Sequence, residues 1–119
     1  MTIEEKFFKT FGIEPIKVEV PSREYDSNGE VCSFYVEESY PEITDRILLE
    51  LIEILREYYK LVFWRTGDSK CLDICGDKRT NVLYRTCDTL RNSILNSLIC
   101  MQKENKNLKQ QVRSLFEEK

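Results

Sequence analysis

Apolar positions recur along this chain with two periods, and the switch between them marks its elements. Phe7, Phe8 and Phe11 fall at helical spacing within residues 4–11, with Gly12 as a stop. Ile16, Val18 and Val20 then alternate with Lys17 and Glu19, the period-two pattern of a half-buried strand ending at Pro21. Asn28-Gly29 is the strongest local turn signal, since both residues tolerate the positive φ that a tight hairpin turn requires. The β-branched and aromatic run over residues 31–36 supplies the second strand. Ile43, Ile47, Leu51, Leu55 and Tyr58 return to a spacing near four, widened by Leu48, Ile52 and Tyr59. Ser39 and Glu42 have capping-box spacing, and Pro41 is tolerated in a first turn, so an amphipathic helix is predicted over residues 42–59. Residues 61–65 and 70–75 read as a second hairpin about Gly67-Asp68-Ser69, closed by Gly76-Asp77. A long helix follows, starting between Thr80 and Thr86. Val82-Leu83-Tyr84 reads equally well as a further strand.

Toward the C-terminus the helical pattern becomes a heptad. Leu98, Met101, Asn105, Leu108, Val112 and Leu115 step by 3, 4, 3, 4, 3, with Leu98, Asn105 and Val112 at a, and Met101, Leu108 and Leu115 at d. Leu at d, with Val and one Asn at a, favours a parallel two-stranded coil. Glu104 at g and Lys109 at the next e have opposite charges to pair between chains. Leu83, Cys87, Leu90 and Ile94 extend the stripe upstream with a break in register before Leu98. The same face could instead pack on the chain's own domain. The expected architecture is α+β: two antiparallel hairpins forming a small sheet covered by an amphipathic helix, plus a long C-terminal helix with a coiled-coil seam. Residues 1–97 form the globular domain in this reading, and residues 98–119 an oligomerisation extension that makes a parallel homodimer or a higher-order assembly.

Composition narrows the chemistry. A chain of 119 residues, 41% hydrophobic and 33% charged, is sized for one core. Met1-Thr2-Ile3-Glu4-Glu5 is acidic where a secretory leader is basic, and no apolar run spans a membrane. Five cysteines, an odd number, then predict reduced thiols and a cytoplasmic protein with no membrane partner. The lack of histidine removes the commonest general base and metal ligand. Residues 1–60 hold 7 Lys/Arg against 14 Asp/Glu and residues 61–119 hold 11 against 7, so an acidic half precedes a basic one. Such a chain attracts a charged partner or a second copy of itself, or simply has two differently solvated surfaces.

Three constellations carry candidate chemistry. Cys32, Cys71, Cys75 and Cys87 could hold zinc, but Cys71 and Cys75 lie about 13 Å apart along a strand, and buried free thiols account for them as well. No cofactor is expected. Glu37, Glu38, Glu42, Asp45, Glu50, Glu53 and Glu57 make an acidic region that is either largely a solvated helix face or a mimic of nucleic-acid phosphates aimed at a basic groove on a target. Direct nucleic-acid binding does not fit that charge, and a Mg²⁺-dependent nuclease lacks the expected strand-borne Asp with a following Glu-x-Lys. Arg65, Lys78, Arg79, Arg85 and Arg91, beside Trp64, Tyr84 and Asn92, suit a nucleotide or phosphate ligand, or form a basic rim that pairs with an acidic helix.

Phe7-Phe8-Lys9-Thr10-Phe11-Gly12-Ile13-Glu14-Pro15 and Tyr40-Pro41-Glu42-Ile43-Thr44-Asp45-Arg46-Ile47-Leu48-Leu49-Glu50-Leu51 resemble segments of small uncharacterised phage and prophage proteins from Firmicutes. The resemblance implies a non-enzymatic anti-defence factor. One form is an anti-CRISPR-like inhibitor that occludes a host defence effector with a charged surface. The other is a sponge that sequesters a cyclic nucleotide signal at a subunit interface.

Overall fold

Both hairpins form about a glycine, but they belong to separate sheets. The computed structural model describes residues 1–30, 33–76 and 81–117. Helix α1 (Ile3–Thr10) is capped by Thr2, whose hydroxyl accepts from the Glu5 amide, and it stops where Gly12 takes φ 71°. Strands β1 (Ile16–Pro21) and β2 (Phe34–Ser39) pair antiparallel, Ile16 opposite Ser39 and Pro21 opposite Phe34. At the tip, the Gly29 amide donates to the Asp26 carbonyl at 3.1 Å and the Asn28 amide to the Asp26 carboxylate at 2.8 Å. Only Gly29 has positive φ there, so the turn is built on Asp26 and Asn28 keeps an ordinary backbone.

This first hairpin is an arm. Its burial is slight on both faces, and among the described residues no helix or other strand makes more than slight contact with it. Ile16, Val18 and Tyr35 are exposed on one face, Phe34 and Val36 on the other. The radius of gyration is 19.2 Å, against about 13.5 Å for a compact chain of this length.

After the arm the chain returns to the body with helix α2 (Asp45–Tyr58). Its cap is Thr44, which accepts from the Ile47 amide, rather than the predicted Ser39. Ser39 ends β2, Tyr40 precedes a proline and is therefore biased away from helix, and its ring stacks on Phe8 at 5.0 Å. Strands β3 (Lys60–Thr66), β4 (Ser69–Cys75) and β5 (Val82–Cys87) form the second sheet, in the order β3-β4-β5. Gly67 and Asp68 are the whole turn between β3 and β4, and Gly67 at φ 57° supplies the positive φ needed at the first turn position. Residues 82–87 are thus strand, settling the ambiguity of Val82-Leu83-Tyr84.

The expected long helix is two helices, α3 (Leu90–Met101) and α4 (Lys106–Glu117). Asn105 divides them: its side-chain oxygen accepts from the Leu108 amide at 3.0 Å, capping α4, and its amide donates to the Tyr59 hydroxyl at 3.3 Å. A residue read as the polar pair of a coil seam is here a helix cap. Leu98, Met101, Leu108 and Val112 are buried in the chain's own core, with Leu115 packed against it. That core also contains Phe7, Phe8, Leu51, Leu55, Leu72, Ile74 and Ile94, so residues beyond 98 complete the same cluster as the N-terminal helix. The spacing 3, 4, 3, 4 describes any helix with one buried stripe, and α4 lays its stripe on α2.

Candidate binding groove

The two-residue turn fixes which side chains of the second hairpin share a face. Phe63 lies opposite Leu72 and Arg65 opposite Lys70, so these four point to one side, as do Leu61 and Ile74 further along. Helix α3 covers this face over Leu72 and Ile74, which are buried. It begins at Leu90, however, and the turn end of the hairpin extends past it. Phe63 is left 53% exposed and Leu90 47% exposed. Between them opens a groove of about 450 Å³, lined by Phe63, Trp64, Arg65, Lys70, Cys71, Leu72, Asp88, Leu90 and Ser93. Its floor is apolar, and Arg65 and Lys70 stand at its edge without ion-pair partners among the described residues.

The start of α3 at this groove is already capped. Thr89 accepts from the Asn92 amide at 3.3 Å, and the Asp88 carboxylate accepts from the Thr89 amide at 2.7 Å, with the Asn92 side chain at 3.4 Å. An anion at this helix terminus therefore competes with Asp88. Arg65 and Lys70 are the free positive charge of the groove.

The opposite face of the same sheet holds a closed polar unit. Asp73 and Arg85 face each other across β4 and β5, and the guanidinium donates twice to the carboxylate, at 2.7 and 3.0 Å. Trp64 lies over the guanidinium at 5.2 Å. The Arg85 hydrogen bonds hold the Asp73 carboxyl below the usual carboxylate range, against burial, which acts the other way. The Trp64 indole N–H also favours the carboxylate, although it falls short of hydrogen-bond geometry. One row along, Cys71 and Cys87 are directly opposed with Cα atoms 4.1 Å apart, and they form a disulfide.

Several sequence expectations change accordingly. The disulfide replaces the expected reduced state for Cys71 and Cys87, because the strand register brings two thiols together whatever the total count. Cys75 is buried and free, Cys100 half-buried and free, and Cys32 lies outside the described residues. Among the described residues no three His, Cys, Asp or Glu side chains converge on a metal position. The basic constellation does not assemble as one site. Arg65 lines the groove, whereas the Trp64 ring lies on the other face against Arg85, which is held by Asp73, and Tyr84 packs against the core. Arg91 donates to the Ile43 carbonyl at 2.6 Å and lies 3.8 Å from Asp45, tying α3 to the start of α2. Asn92 is a capping residue, and Lys78 and Arg79 lie outside the described residues. Phe63, Lys70, Leu72, Asp88, Leu90 and Ser93 are the groove residues the sequence reading missed. Pairing across a two-residue turn was the signal for the first three.

The acidic helix face is diluted as well. Glu50 lies 3.8 Å from Arg46, Glu53 pairs with Arg56 at 3.2 Å, and Leu49 is exposed among them. Glu57 borders a shallow depression with Arg56 and Lys60, and Glu42 precedes the helix. The densest negative charge lies on the arm and its flanks. Residues 14–39 carry seven Asp/Glu against two Lys/Arg. On the arm the Tyr35 hydroxyl donates to Glu37 at 3.2 Å, which together with the Glu37 charge raises the phenol above its usual pKa.

No helix among the described residues is long and apolar enough to cross a membrane. No family model matches the chain, nor does any curated protein or solved structure.

Proposed function

We propose that the chain is a non-catalytic binding protein that occludes a basic surface of a target protein with its acidic arm. The observation that carries this reading is the arm itself, a two-stranded ribbon without cover from the body, with apolar side chains exposed on both faces and seven carboxylates against two cations over residues 14–39. Apolar contact supplies affinity and the carboxylates supply steering toward a cationic groove. The non-catalytic part of the reading is supported by Asp73, whose carboxyl is held below the usual range, being engaged in an ion pair with Arg85. The resemblance to phage proteins directs the target search to host defence effectors that bind nucleic acid. The test is displacement of labelled nucleic acid from a panel of purified effectors of that class. The expected result is displacement by at least one effector, weakening with salt and lost when Glu24, Asp26 and Glu37 are changed to Lys. Displacement that survives those changes, or none at low salt, contradicts the proposal.

A second reading rests on the groove. Its apolar floor beside Arg65 and Lys70 matches a ligand with one aromatic and one anionic part, such as a nucleotide. A panel of mono-, di- and cyclic nucleotides should then include one that raises the melting temperature of the wild type and not of Arg65→Ala with Lys70→Ala. A flat panel removes this reading.

A further inference from the structure

The free edge of the arm matches itself. We infer that β1 pairs antiparallel with β1 of a second copy, about a two-fold axis at Val18, to make a continuous four-stranded sheet β2-β1-β1-β2. This goes beyond the proposed occlusion of a target and does not depend on it.

The hydrogen-bond phase of the arm decides which groups are available. The Ser22 amide donates to the Ser33 carbonyl at 2.9 Å, one step past the Pro21–Phe34 pair. Backbone groups in an antiparallel ladder alternate sides. Ile16, Val18 and Val20 therefore bond to β2, whereas Lys17 and Glu19 turn their N–H and C=O outward. A second β1 must place outward residues opposite outward residues, which restricts the register to steps of two. Centring on Lys17 opposes Lys17 to its twin, and centring on Glu19 opposes two glutamates. Centring on Val18 is the register that sets Lys17 against the partner's Glu19 at both ends, with Ile16 against the partner's Val20.

The prolines limit the pairing to that window. Pro15 and Pro21 flank Ile16-Lys17-Val18-Glu19-Val20 and oppose each other across the axis in this register. Neither has an N–H, so the pairing ends without orphaning a donor on either strand. Edge prolines and lysines also serve to block strand addition. Here they leave one short register open, and that register is charge-complementary. Lys17 lies 3.7 Å from Glu38 on its own β2 with both side chains largely exposed, so the partner's Glu19 places it between two carboxylates. On the other face Ile16, Val18 and Val20 of each copy join into one apolar strip, bordered by Tyr35 and Glu37 of each β2. A lone two-stranded ribbon is marginal in water, and four strands with a shared apolar face are not.

The test is solution mass by analytical ultracentrifugation across concentration, carried out on the full chain with Glu38→Gln throughout so that its contact with Lys17 does not interfere. The parent should dimerise from its 14.2 kDa monomer. Lys17→Glu and Glu19→Lys should each weaken the dimer by about tenfold or more, since each change sets like charges together at both ends of the pairing. The combination Lys17→Glu with Glu19→Lys should restore it. Under mild oxidation Val18→Cys should form a covalent dimer, because a non-hydrogen-bonded pair brings Cα atoms to about 4.5 Å, whereas Glu24→Cys near the tip should not. A parent that stays monomeric, a dimer indifferent to the single reversals, a combination that fails to restore it, or no Val18→Cys cross-link overturns the inference.

Discussion

The β3–β4 hairpin and the β1–β2 arm are built from similar material, alternating β-branched, aromatic and charged residues in strands of six or seven. Leu72 and Ile74 of the first are buried beneath α3, while Val18, Phe34 and Val36 of the second are at least half exposed. The difference lies in what arrives afterwards in the chain. The β3–β4 hairpin receives a third strand, a disulfide and a helix, and becomes one wall of the core. Among the described residues the arm receives none of these. Alternation makes a ribbon, and only a covering layer makes it part of a core.

Truncation should separate the two hairpins most widely. Leu72→Ala, at a fully packed position, should lower unfolding free energy by about 2–5 kcal/mol, whereas Phe34→Ala in the arm of the monomer should change it by less than about 0.5 kcal/mol. Denaturant titration at low protein concentration measures both. Next comes the cross-link in the body's sheet. Cys71–Cys87 closes a segment with a sequence separation of 16, and Cys71→Ser with Cys87→Ser should reduce stability by about 2–3 kcal/mol. Thermal melts with and without reductant, run beside the double variant, check this, and identical melts in all three cases would contradict it.

The smallest effect concerns Asp73. Its carboxyl titrates below an ordinary aspartate because Arg85 holds it ionised. The stability it contributes is therefore complete above the unfolded value of about 3.9 and is lost as pH falls through the lower folded value. Asp73→Asn should cost about 1 kcal/mol at neutral pH, the half-exposed Arg85 end of the pair limiting the gain. It should also flatten the acid limb of the stability profile, and an unchanged acid limb would show that Asp73 does not carry it.

These contrasts also explain what could be read from the chain. Strands, turns and the amphipathic α2 were legible because alternation, a turn glycine and a four-residue stripe are local signals. The burial of Leu108 and Val112 was not, since a helix stripe looks the same whether its partner is a second chain or α2. Asn105 misled for a related reason: a polar residue inside a heptad marks a seam or a cap, and no glycine or proline distinguished them. The disulfide was hidden because an odd cysteine total says nothing about two thiols that the strand register sets face to face. Of the groove, Arg65 was legible as a basic candidate, while the Trp64 ring read beside it lies on the other face of the sheet. Its depth depends on where α3 starts relative to the hairpin end, which is a tertiary fact. That the arm is uncovered was the least legible feature, because periodicity reports an apolar face and not its neighbours.

The most direct test of the arm as an open edge is amide hydrogen exchange, followed residue by residue at low and high protein concentration. The amides of Val18 and Val20 point to β2 and should be protected at both. Those of Lys17 and Glu19 should exchange freely in dilute protein and become protected as concentration rises. Equal rates for Lys17 and Glu19 across the range, whether fast or slow, would contradict the account: fast rates mean that no second copy joins the edge, and slow rates mean that the chain already covers it.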